Sequence, residues 1–260
     1  MKNLWICFCV EVFLLILLRP LITDFQMVSF VAVFVHIFFS VNALLGLKNR
    51  FRMIFLGAYL ARGCFLFWDL YARHIFVFPN SGADSEMFYS ATLAVAKNIA
   101  ILNEVRGFYP KVMGLFFYLV GPQRLLGQYI NVLLGLSVVF LLFRILKLLR
   151  IHPRITEKIL LLGAFFPNSL IMSSIFLREM LPTFFVAASF YFFLKWFRFG
   201  RIENFTFSVL SLGAASMFHA GAAGIFIGYA FVFLFYKRED NAYRFSAKTI
   251  PVFLFILAIG

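Results

Sequence analysis

Ser81-Gly82-Ala83-Asp84-Ser85-Glu86-Met87-Phe88-Tyr89 is a polar stretch with two acids two residues apart, set in a chain that is otherwise nearly continuous hydrocarbon. Long apolar runs precede and follow it. The chain has 260 residues, of which 63% are apolar, 20% aromatic and only 13% charged. A soluble domain carries about 25% charged residues. Thirty-nine Phe are too many for one water-soluble core, and the mean hydropathy is +0.94. The class this implies is all-α: a polytopic transmembrane helical bundle. The runs are long and unbroken rather than alternating, which argues against a β-barrel.

Hydrophobic runs predict spans at 4–18, 26–47, 53–71, 125–146, 158–176, 180–197, 203–218, 221–236 and 249–260, about eight or nine in all. The first, preceded by Lys2 and followed by Arg19-Pro20 rather than a small-residue cleavage site, reads as an uncleaved membrane helix. The last, twelve residues long, reads as an incomplete span. The chain then divides into two N-terminal helices (1–52), a membrane core (53–236) with one long loop at 72–124, and a terminal loop with the incomplete span (237–260).

The net charge of +13 does not point to nucleic acid, because the bases are not gathered into one stripe. They punctuate the gaps between apolar runs. With the N-terminus in the cytoplasm, Lys48, Arg50 and Arg52 fall inside. So do Arg144, Lys147, Arg150, Arg154 and Lys158, then Lys195, Arg198 and Arg201, then Lys237, Arg238, Arg244 and Lys248. Every inner connection is basic and no short outer one carries more than one base, which orients the chain with loop 72–124 outside. Cys7, Cys9 and Cys64 lie within apolar runs and read as small membrane-buried side chains.

Within the long loop, 84–102 carries apolar residues at three- and four-residue spacing. It is expected to be an amphipathic helix on the outer leaflet, capped by Ser81 or Asp84. The segment 111–120, ending at Gly121-Pro122, reads as a second, interfacial or re-entrant helix. Phosphate-binding glycine loops, Cys/His metal spacings and the His-Glu-x-x-His pattern are absent from the sequence, which leaves a nucleotide-driven pump or an intramembrane metalloprotease without support.

The chemistry-bearing residues are few. Asp84 and Glu86 serve either as acids at the positive end of a helix or as a general base at the membrane surface. As a pair they are also candidates for a divalent cation such as Mg or Mn. In a helix they diverge by about 200°, so one acid as base is the safer assignment. Phe166-Pro167-Asn168-Ser169 breaks an apolar segment, and Arg178-Glu179 follows in a tight outer turn. That pair is either self-neutralising or an Arg that grips a phosphate with Glu179 orienting it. His219 precedes Ala220-Gly221-Ala222, small residues that permit close helix packing. Arg106 ends the surface helix as a headgroup anchor or phosphate contact. Arg62, mid-span, needs a partner, and Glu11, also mid-span, is the candidate for a structural pair.

Gly82-Ala83-Asp84-Ser85-Glu86-x-Phe88-Tyr89, then Phe166-Pro167-Asn168 and Leu177-Arg178-Glu179, then His219-Ala220-Gly221 together resemble the GT-C superfamily of polytopic glycosyltransferases. That group includes dolichyl-phosphate-mannose protein mannosyltransferases and bacterial lipid-A aminoarabinose transferases. The resemblance covers roughly 53–236 and lies in the order and shared side of short motifs. It implies transfer of a sugar from a polyprenyl-phosphate donor to a glycan, lipid or protein acceptor at the outer face of the cell inner membrane. Asp84 would be the base, and Arg178, with His219 or Arg106, would hold the phosphate. An O-antigen-type polymerase or ligase, using Arg and His rather than an Asp base, is one alternative. A lipid-linked-sugar flippase or transporter and a non-catalytic scaffold are others.

Overall fold

The computed structural model describes residues 1–47, 50–239 and 242–245. The chain is a helical bundle. It runs α1 (Lys2–Leu18), α2 (Phe25–Leu45), α3 (Arg52–Tyr71), α4 (Asp84–Lys97), α5 (Phe108–Val120), α6 (Arg124–Leu148), α7 (Pro153–Phe165), α8 (Pro167–Met172), α9 (Met180–Phe199), α10 (Ile202–Phe218) and α11 (Ile225–Phe235). A short antiparallel hairpin, β1 (Tyr236–Glu239) with β2 (Ala242–Phe245), follows α11. Among the described residues, five helices are long and apolar enough to cross a membrane: α1 with its 3-10 extension, α2, α3, α6 and α9. The expected span at 249–260 lies outside the described residues.

Local chemistry sets the helix ends. The Asp24 carboxylate caps α2, accepting from the backbone N–H groups of Gln26 and Met27 at 2.9 and 3.1 Å. Gly200 closes α9 in the left-handed conformation, φ 71°, which lets α10 turn straight back. That return is clasped in the apolar interior by two serines. Ser189 donates to the Ser208 carbonyl at 2.8 Å, and Ser208 donates to the Ser189 carbonyl at 2.9 Å.

The bundle is built around α6, which is buried along most of its length. Gly127, Asn131 and Gly135 form a stripe at four-residue spacing on it. A Cβ on Gly135 would come within 2.6 Å of the Ser173 side chain, and one on Gly127 would overlap the Phe176 ring. The irregular segment after α8 therefore lies directly on the α6 backbone. Between the glycines, Asn131 donates to the carbonyls of Ile175 and Leu177, both at 2.9 Å. Non-helical backbone within a bilayer needs such partners, because hydrocarbon offers none.

The predicted span 158–176 is not one helix. Phe166 leaves the helical conformation, φ −58° and ψ 121°, and Pro167 restarts the chain as α8. The break frees carbonyls at the end of α7, and Arg62 reaches them. Its guanidinium is fully buried and donates to the carbonyls of Ala58 and Ala164, both at 3.0 Å, and to the Ser169 hydroxyl at 3.2 Å. The partner of Arg62 is thus the broken helix and not Glu11, which instead accepts from the Cys7 thiol at 3.6 Å. The expectation failed because periodicity shows that two residues sit at similar depth but not which face each presents. The surface helix is also shorter than the expected 84–102: α4 ends at Lys97, and Asn98, in extended backbone, starts a 3-10 turn over Ile99–Asn103.

Replacing Arg62 by Met leaves the Ala164 carbonyl and Ser169 without their partner in a water-free site. The expected loss is roughly 2–4 kcal/mol of stability, read as a fall in melting temperature of the purified protein in detergent. Arg62→Lys, which keeps one cationic donor, should recover part of it.

Candidate functional site

The acidic loop is tied to the bundle by a part-buried ion cluster around the buried Asp69. Asp69 lies near the end of α3, its side chain wholly buried. Its Oδ1 accepts a short hydrogen bond from the Ser81 hydroxyl and its Oδ2 accepts from Gln128 Nε2 at 2.6 Å. Arg73, one turn after Asp69, has its Nε 3.5 Å from Oδ1. Its Nη2 also donates to the carbonyl and hydroxyl of Ser81 at 2.9 and 2.6 Å. Arg124, the first residue of α6, donates to Ser85 at 2.9 Å and stacks 5.1 Å from the Tyr89 ring centre. Both arginines converge on one Glu86 oxygen, Arg124 at 2.6 Å and Arg73 closer still. Two acids and two guanidinium groups cancel, and the wholly buried Asp69 carboxylate is the member that most needs its partners.

This arrangement decides the role of each loop acid. Ser81 does not cap α4, because its hydroxyl is spent on Asp69; the N-cap position is Ala83. Glu86 is turned to Arg73 and Arg124 through its Oε1, which ties this acid into the cluster. Asp84 occupies the first turn of the same helix and is exposed. The two carboxylates thus differ in surroundings: Glu86 meets two guanidinium groups and Asp84 is exposed.

A second group gathers between α6, α9 and the end of α10. A cavity of about 750 Å³ is walled by Val138, Leu142 and Ile145 of α6 and by Val186 and Phe190 of α9, with Glu179, Thr183 and His219 as its polar members. Glu179 Oε1 accepts from Arg178 Nε at 3.3 Å, while Oε2 is buried with no hydrogen-bond partner among the described residues. The Arg178 guanidinium lies 5.6 Å from the Phe88 ring centre, which puts it against α4. Asp84 stands four residues before Phe88, on the same helix face. His219 is exposed just past α10; a Cβ on Gly221 would lie 3.1 Å from its Nε2, so the glycine makes room for the ring.

Aromatic contacts lock these pieces together. Phe88 meets Tyr109 at 5.6 Å, Tyr109 meets Phe176 at 5.5 Å, and Phe218 meets both Phe108 at 5.0 Å and Phe185 at 6.1 Å. Through this layer α4, α5, the 173–179 segment, α9 and α10 share one end of the bundle. Glu179 and His219 share the cavity lining, and Arg178, bonded to Glu179, is not part of it. Asp84 lies on the adjoining face of α4 but does not line the cavity. Arg106 is exposed in the turn before α5 and makes no ion pair among the described residues. Basic connections meet at the opposite end, where Arg50 pairs with Glu157 at 2.5 Å and Arg144 donates to Tyr191 at 3.1 Å.

Asp69, Arg73, Arg124 and Gln128 were missed from sequence. A signal was present: Asp69 and Arg73 stand one turn apart at a span end, as do Arg124 and Gln128 at the next span start. Both arginines read there as ordinary membrane-flanking bases.

Burial of Glu86 pushes its carboxyl up, but hydrogen bonds and charge from Arg73 and Arg124 outweigh this and hold it below the ordinary value. A carboxyl lowered on folding contributes stability that is present above its unfolded value, about 4.3, and lost as the pH falls through the folded one. Hydrogen exchange in 80–90 is therefore expected to be slow at neutral pH and to quicken below about pH 4 beyond its intrinsic pH dependence. In Glu86→Gln the excess should be smaller, with faster exchange already at neutral pH.

Compared with protein-family models, curated proteins and solved structures, the chain matches none.

Proposed function

We propose that this chain is a membrane glycosyltransferase acting on a polyprenyl-phosphate-linked sugar, with the cavity between α6 and α9 as the lipid groove. The observation that carries this reading is the shape and polarity of that cavity. Its walls are apolar along α9 from Pro182 to Phe190, and its acid and imidazole, Glu179 and His219, belong to the end where α9 begins and α10 stops. From Glu179 to Phe190 the helix rises about 16 Å. A long apolar tail with a phosphate at one end has this pattern, and a soluble nucleotide sugar does not.

In this reading Arg178, oriented by Glu179, holds the donor phosphate, and the charge it supplies grows in value as the leaving group departs. The bond from the anomeric carbon to the phosphate oxygen breaks, and the electron pair leaves with the lipid phosphate. The acceptor oxygen forms the new bond and its proton passes to a base. Asp84, exposed on the α4 face that carries Phe88, is that base in the GT-C-like form of the proposal, and the basic connections at the opposite end support an outer-side location for this one. One observation favours the polymerase or ligase form instead: His219 lines the cavity and Asp84 does not. His219 would then take the proton.

Membranes containing the protein should move radiolabel from a polyprenyl-linked sugar to an acceptor, and Arg178→Ala and His219→Ala should each lower the rate about 100-fold. Loss of transfer in Asp84→Asn, in a protein that remains folded, assigns the base to Asp84. Full activity there, with loss in His219→Ala, assigns it to His219. A wild-type protein that transfers no label from any lipid-linked sugar overturns the reading.

A further inference from the structure

Away from that end, α1 and α2 hold a set of donors that the sugar-transfer reading does not use. Cys7 and Glu11 stand one turn apart on α1, and His36 faces them from α2. One donor atom from each lies within 4.8 Å of the others. The Cys7 sulfur is 3.6 Å from Glu11 Oε1. For bonds of about 2.3 Å to sulfur and about 2.1 Å to oxygen, the edge of a tetrahedral zinc site is also about 3.6 Å.

The imidazole is set up for coordination. Its Nε2 lies 3.1 Å from the Leu4 carbonyl, which can only accept, so Nε2 carries the proton and Nδ1 presents its lone pair. A backbone carbonyl on the far nitrogen is the usual support of a metal-binding histidine. Nδ1 accepts from the Tyr129 hydroxyl at 2.6 Å, with the Ser40 hydroxyl 3.4 Å away, so a metal would take this lone pair in place of the phenol proton; Tyr129 is itself 2.6 Å from the Tyr59 hydroxyl. These phenols place a further oxygen beside the three donors.

Charge supplies the second argument. Glu11 sits mid-helix in a segment apolar enough to cross a membrane, and its hydrogen-bond partner there is a thiol. Carboxylates in such places are paired or bind metal. Arg62, the cation expected to pair with it, is spent on the broken helix. A dication held by one thiolate, one carboxylate and a neutral imidazole has no net charge, which suits hydrocarbon.

We propose that Cys7, Glu11 and His36 form a binding site for a borderline-soft dication of the zinc type, with Tyr129 or water as the fourth ligand. The thiolate argues against magnesium or calcium. Binding replaces the thiol proton and any proton on the carboxyl, which leave to solvent. The site is independent of sugar transfer and stands or falls separately from it.

The test uses cobalt(II) as the zinc probe on the full, untagged chain, purified in detergent and stripped with chelator. One cobalt per chain is expected, with a near-ultraviolet thiolate-to-cobalt band and the visible bands of a tetrahedral ion, both removed by added zinc. Cys7→Ser should lose the thiolate band and bind at least about tenfold more weakly. Cys9→Ser, whose parent side chain is exposed, should keep both. Zinc should also raise the melting temperature of the wild type and of Cys9→Ser but not of Glu11→Gln, a readout that does not need the variants to be equally stable. No stoichiometric cobalt, a thiolate band that survives Cys7→Ser, or no zinc-dependent rise in the wild type each overturns the site.

Discussion

A helix broken inside a bilayer must find new partners for the carbonyls it releases, and Arg62 meets that demand here. Pro167 interrupts what would otherwise be one span, and the guanidinium from α3 takes up the Ala164 carbonyl and Ser169. The break lets the chain between Ser173 and Glu179 run in irregular form along α6. Gly127 and Gly135 leave it room, and Asn131 satisfies its carbonyls. That path carries Glu179 to the cavity lining and Arg178 to the Phe88 ring of α4. A costly buried charge thus serves the geometry of a site some distance away.

The same logic of compensated charge operates where the loop meets the bundle. Asp69, Arg73, Glu86 and Arg124 come from three separate elements and neutralise one another, with Ser81, Ser85 and Gln128 filling the remaining donor and acceptor positions. The cluster fixes the start of α4 against α3 and α6. It consumes Glu86 in doing so and leaves Asp84 exposed one residue pair away. Two acids that look equivalent in the sequence therefore have different chemistry, one structural and one open to a ligand.

Apolar packing completes the frame. The aromatic layer around Phe176, Tyr109 and Phe218 joins the surface helices to the bundle, and its rings meet edge to face rather than through polar contacts. Polar groups at this end form two neighbouring but distinct sets.

By itself the sequence determined the helical class, the positions of the long spans within a few residues and the amphipathic α4. These follow from local quantities: run length, periodicity and charge at helix termini. It did not determine that 158–176 is broken, though Pro167 marked the place, because a proline in a span kinks or breaks according to what waits to receive the freed carbonyls. Nor did it determine the partners of Arg62 and Glu11, the Asp69 cluster, or the separation of Asp84 from the cavity. Those depend on which faces of α1, α3, α4 and α6 turn toward each other. In a chain this uniformly apolar every face is compatible with burial, so only packing, through close contacts such as Phe176 on Gly127 and Ser173 on Gly135, selects among them.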